Sequence, residues 1–161
     1  MSQFTKPLVV TPLADGNTWL LREEFAYYVG ENPQENLVLV PVGFVTDFAT
    51  VPVFMRWYIN SWGKHGNAAV IHDWLYWQQA ERSGYSRAEA DQIFLDGMLV
   101  LGVGQFRRHL IYWAVRLFGG WAWRRARWDR KDGFKRVFDE IPSKYSTELG
   151  RMGIIKRTLL Q

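Results

Sequence analysis

The chain has 161 residues, 48% hydrophobic and 22% charged, the length and balance of one folded domain, not of a two-domain enzyme or a disordered chain. It has no cysteine, which excludes a disulfide framework, a thiol nucleophile, an iron–sulfur site and every thiolate zinc site. The net charge of +4 conceals an asymmetry: residues 1–80 carry four Lys/Arg against seven Asp/Glu, and residues 81–161 carry sixteen against nine.

In chain order, 1–161 reads as a single α+β domain in three parts. Residues 7–48 are β-rich, with strands expected at Val9-Val10, 18–29 and 37–45. Turn residues separate them at Asp15-Gly16-Asn17 and across 31–36, so a small antiparallel meander is predicted. Residues 50–140 are helical. Thr50 and Pro52 suit a short helix start, and a stronger helix is predicted over 67–80, closed by Ser83-Gly84. Ser86-Arg87-Ala88-Glu89 is a capping box that opens the next helix, which runs to 101 and stops at Gly102. The short connection makes these two an antiparallel hairpin. Residues 104–140 form one or two further helices rich in Trp and Arg. Beyond Pro142, residues 141–161 read as a C-terminal arm.

The hairpin carries the chemistry. His72 and Tyr76 lie four apart and share a helix face, while Asp73 is turned about 100° away. Counted from the hairpin loop, Tyr76 lies level with Asp91 and His72 one turn deeper. The three can meet across one interface, with a carboxylate orienting an imidazole whose other nitrogen takes a proton from water. Asp73 is then free for a hard cation, and Asp47, delivered by the last strand, is a second carboxylate for metal or substrate. The bland alternatives are a structural His–Asp pair and a helix-start Asp. A zinc site of His72 with Asp47, Asp73 or Asp91 lacks any local spacing signature. His65 and His109 are assigned to the surface.

The basic excess gathers in 107–136, where ten Lys/Arg face Asp129 and Asp132. Arg107, Arg108, Trp121, Trp123, Arg124, Arg125, Arg127 and Trp128 are the candidate surface-binding residues. Such a segment can meet anionic lipid, less readily nucleic acid, or another protein, or it can bury its Trp faces and solvate its Arg residues. No apolar run approaches the roughly 18 residues of a membrane span, and the N-terminal apolar run is too short for a signal peptide.

The order His72-Asp73-Trp74-Leu75-Tyr76 followed by Asp91-Gln92-Ile93-Phe94 resembles the active-site helices of phospholipase A2. That resemblance implies His72 as general base, Asp91 as its orienter, Tyr76 as hydrogen-bond partner of Asp91, and Asp73 as a calcium ligand. The chain lacks that family's cysteines and glycine-rich calcium loop. Over a longer span the chain is similar to small bacteriophage and prophage proteins called domain of unknown function 1353. The pieces that carry this are the stretches 43–52, 68–76, 90–94 and 113–119, including Phe44-Val45-Thr46-Asp47-Phe48 and Ile71-His72-Asp73-Trp74. This second resemblance implies a phage origin: synthesis in the host cytoplasm, association with the virion, and other phage structural proteins as partners. Two functions follow as expectations. One is a hydrolase acting on lipid esters of the host envelope during penetration or release. The other is a tail or baseplate component in which the His/Asp cluster is structural.

Overall fold

In the computed structural model residues 2–13, 18–30, 36–48 and 65–138 are described. The expected helix start at Thr50 and Pro52 and the arm 141–161 lie outside them. Among the described residues six short strands precede three helices, the expected α+β class: β1 (Gln3–Phe4), β2 (Val10–Pro12), β3 (Trp19–Leu21), β4 (Phe25–Tyr28), β5 (Leu37–Val40), β6 (Val45–Thr46), α1 (Gly66–Ser83), α2 (Arg87–Val100) and α3 (Gln105–Lys131).

The strands do not form one meander. They make two three-stranded antiparallel sheets, ordered β1-β4-β5 and β2-β3-β6. The stretch 18–29 divides because Arg22, Glu23 and Glu24 are all exposed, so the chain leaves one sheet there and enters the other. The stretch 37–45 divides at Pro41-Val42-Gly43, where Gly43 has φ +81°. In β5, Val38 and Val40 are buried while Leu37 and Leu39 face out, the period-two pattern of a half-buried strand.

The helices follow local signals closely. Gly84, at φ 77°, caps α1 by donating its N–H to the Ala80 carbonyl. At the start of α2, Ser86 Oγ accepts from Glu89 N–H at 3.3 Å and Glu89 Oε2 accepts from Ser86 N–H at 2.8 Å. The crossing of α1 and α2 is tight, since a Cβ on Gly97 would stand 2.9 Å from that of Ala68. Small residues at this crossing bring the backbones near enough for short polar side chains to touch.

α3 is one helix, and it ends at Lys131, short of the predicted 140. The chain then returns to the strands. Val45 N–H donates to the Arg136 carbonyl at 2.8 Å, and Phe44 bridges Val137. This return places Arg136 beside α1. One buried cluster joins strands to helices, with Phe25, Tyr27, Phe44, Phe48, Ile71, Leu75, Phe94 and Ile111 among its members.

Candidate functional site

Asp91, on α2, is fully buried, and everything at the site is arranged around it. Its Oδ1 lies 2.9 Å from His72 Nε2 and accepts from the Tyr76 hydroxyl at 2.7 Å. Its Oδ2 accepts from Arg116 Nη1, on α3, at 2.7 Å, with Arg87 Nη1 at 3.7 Å one turn before it on α2. Three helices thus converge on one carboxylate. Burial acts to raise the Asp91 pKa, but the bonds from His72, Tyr76 and Arg116 outweigh it and hold the group below the ordinary carboxylate range. Burial, and then the negative charge of Asp91, raise the Tyr76 pKa, so the phenol stays protonated and donates. The hydrogen bond to Asp91 raises the Arg116 pKa further.

With Asp91 ionised and able only to accept, Nε2 is the imidazole nitrogen that carries the hydrogen. His72 Nδ1 is buried and has no hydrogen-bond partner among the described residues. The ring packs between Tyr76 and Phe94, at 4.1 and 4.8 Å between centroids, which fixes its plane.

A cleft of about 40 Å³ adjoins the ring. His72, Asp73 and Tyr76 from α1, Asp47 after β6, Phe118 from α3 and Arg136 contribute to its walls. That volume holds a few waters at most. Gly119 lets α3 close on Tyr76, because a Cβ there would lie 2.5 Å from the phenol oxygen.

The sequence-derived trio His72, Tyr76 and Asp91 therefore does meet. Asp73 and Asp47 both reach the cleft, but Asp73 is not a free carboxylate: its Oδ2 accepts from Thr46 Oγ1 at 2.5 Å, a bond that ties α1 to β6. Among the described residues there is no group of three or more His, Asp or Glu side chains able to hold a metal ion. Calcium takes six to eight oxygens, and among the described residues the cleft offers it two carboxylates, Asp47 and Asp73.

The surface residues divide. Trp121, Arg124 and Trp128 are exposed. Trp123 instead turns inward and meets Tyr76 edge-on at 5.0 Å, since α3 packs that side against α1. Arg125 pairs with Asp129 at 3.0 Å and Arg127 with Glu81 at 3.3 Å. Arg108 caps the Val103 carbonyl, and Arg107 is half-buried with its Nε enclosed. His109 is exposed as expected, but His65 is not. It is only 2% exposed, because Gly66 packs on Phe48 and carries the start of α1 into the core. Burial, and then the Arg107 charge, lower its pKa to about 4.

Sequence reasoning missed Arg116, Arg87 and Thr46 as site residues. Arg87 had a local signal, its i,i+4 spacing to Asp91. Arg116 and Thr46 had none.

A family described as Protein of unknown function (DUF1353) matches residues 19–115, more than half of the chain. The chain belongs to that family. The DUF1353 match takes in His72, Tyr76 and Asp91 and ends one residue before Arg116. No curated protein and no solved structure matches the chain. Among the described residues no helix is long and apolar enough to cross a membrane.

Proposed function

We propose that this DUF1353 protein is a hydrolase in which His72 acts as general base, with lipid esters of a phage host's envelope as its substrates. One observation carries the reading: His72 has one nitrogen committed to an ionised, thrice-bonded Asp91 and the other buried with no partner among the described residues, beside a water-sized cleft. A histidine serving only as a strut has no need of an uncommitted nitrogen held in a fixed ring plane.

The chemistry is an ester hydrolysis. Water in the cleft attacks the ester carbonyl carbon while Nδ1 takes its proton, and Asp91 stabilises the resulting imidazolium. The tetrahedral intermediate then collapses, the carbon–oxygen bond breaks, and the imidazolium returns its proton to the leaving alkoxide. Products are a carboxylic acid and an alcohol. Among the described residues that line the cleft, Arg136 is the cation available to an anionic headgroup or to the developing oxyanion. The cleft is too small for an acyl chain, which would lie along Phe118, half exposed at its edge.

The test uses the full chain on a short-chain phospholipid and a neutral short-chain ester, each with calcium and with chelator. Activity should survive the chelator. His72→Gln should lower it by at least about 100-fold, the lower end of general-base contributions. A folded wild-type chain inactive on both esters, with and without calcium, would sink the reading.

A second reading has its own observation. Asp91 draws ligands from three helices, and that alone would make the cluster a structural node in a phage tail or baseplate component. His72→Gln would then lower the melting temperature or block particle assembly, and the wild type would turn over nothing.

A further inference from the structure

The outer face of α3 carries Phe106, Leu110, Trp113, Leu117, Trp121 and Trp128, all exposed, from 37% at Leu110 to 77% at Phe106. At 100° per residue these six fall within about 80° of the helix circumference. They are turned away from the face that buries Ile111, Val115 and Ala126. At 1.5 Å per residue the stripe is about 33 Å long. α3 carries eight Arg/Lys and one acidic residue, Asp129. Arg107 and Arg125 flank the stripe on one side, Arg116 and Arg127 on the other, and Arg124 lies within it.

We infer that this face of α3 lies flat on an anionic lipid surface. A second copy of the chain would suit an apolar stripe of 3-4 spacing, but charge decides against it. Two such faces would set the exposed Arg124 of one copy against that of the other, on helices with eight Arg/Lys to a single Asp, and three Trp with a central Arg make poor knobs for a helix seam. A headgroup layer meets every feature at once. Leu and Phe enter the acyl boundary, Trp sits at interface depth, and the exposed Arg124 within the stripe meets lipid phosphate. The docking needs no turnover at His72. It would bring the cleft's Phe118 edge, on the same helix, close to headgroup level.

The test is flotation of the full chain with vesicles of ether-linked phosphatidylcholine, with and without ether-linked phosphatidylglycerol, so that no hydrolysis intervenes. Binding is expected to the anionic vesicles, with a blue shift of Trp emission, and should fall at least tenfold between 0.05 and 0.5 M salt on the order set by charge screening. Trp113→Ser combined with Leu117→Ser should abolish it, and Arg124→Glu should weaken it several-fold, with helix content unchanged in both. Absence of binding at low salt would overturn the inference. So would a reversible dimer lost in the Trp113/Leu117 variant, or DNA binding at this face that exceeds vesicle binding.

Discussion

Two polar clusters fasten α3 to α1, and they differ in what they leave unused. At Asp91, three helices supply the ligands, and one nitrogen of His72 has no partner among the described residues. A turn and more along α1, Gln79 forms the second cluster. Its Oε1 accepts from Arg127 Nε at 3.2 Å and Arg130 Nη2 at 3.0 Å, and its Nε2 donates to the Trp123 carbonyl. Here α1 breaks its own helix: Gln79 has φ 56° and ψ −180°, a region that favours glycine. Arg130 takes up the Trp77 carbonyl and also pairs with Glu81 at 2.9 Å. Every polar atom of the Gln79 side chain is consumed in holding a bent helix against α3. The lesson is that burial and charge do not separate a strut from a site; spare bonding capacity beside a cleft does.

The sharpest way to break this contrast is at its centre. Asp91→Ala would leave two Arg, a Tyr and a His around an emptied position. Removing one partner of a buried charge network costs about 3–5 kcal/mol, so the melting temperature should fall on the order of 10 °C. If Gln79→Ala costs as much, the two clusters are energetically alike and burial explains both.

Next in size is Gly119→Ala, which puts a methyl 2.5 Å from the Tyr76 hydroxyl. Overpacking of this kind costs about 1–3 kcal/mol. In a Tyr76→Phe background the cost should shrink, because the clashing oxygen is gone; urea titration of the four proteins measures that coupling.

Gln79 offers a finer test. Gln79→Ala loses the side-chain bonds but keeps a strained backbone, and should cost about 1–3 kcal/mol. Gln79→Gly loses the same bonds and relieves the strain, so it should be the less damaging of the two. Equal losses would show that the bend is not under strain.

Two further tests lie in pH dependence. Asp91 has a lowered pKa when folded, so its contribution is complete above the unfolded value of 3.8 and is lost as pH falls through the lower folded value. Asp91→Asn should flatten the acid limb of a stability–pH curve. His65 acts in a higher window. Its folded pKa of about 4 lies below the ordinary 6.5, so the unfolded chain binds the extra proton between them and stability drains as pH falls from 6.5 toward 4. His65→Gln should remove that slope and leave the limb below it to Asp91.

Much of the helical unit was legible in the residues themselves. The capping box at Ser86, the glycine after Ser83 and the four-residue spacing of His72 and Tyr76 are short-range instructions, and the short hairpin connection brings Asp91 level with them. The strand region was less legible. Apolar runs at 18–29 and 37–45 show where extended chain lies, but which strand pairs with which depends on partners far along the chain.

What the sequence determined alone was therefore set by short-range contacts and one short connection: the element types, the facing ends of α1 and α2, and the trio on the hairpin. What the tertiary structure decided was set across 25 residues or more. Arg116 reaches Asp91 from another helix, Thr46 binds Asp73 from a strand, and Arg136 returns to the cleft after α3 has ended. Helical periodicity says which side of α3 a residue occupies, but not which side is covered. The packing of α3 on α1 and α2 decided that Trp123 would be half-buried against Tyr76 and Trp113, Trp121 and Trp128 exposed, because the buried face is the one whose small residues let the helices approach.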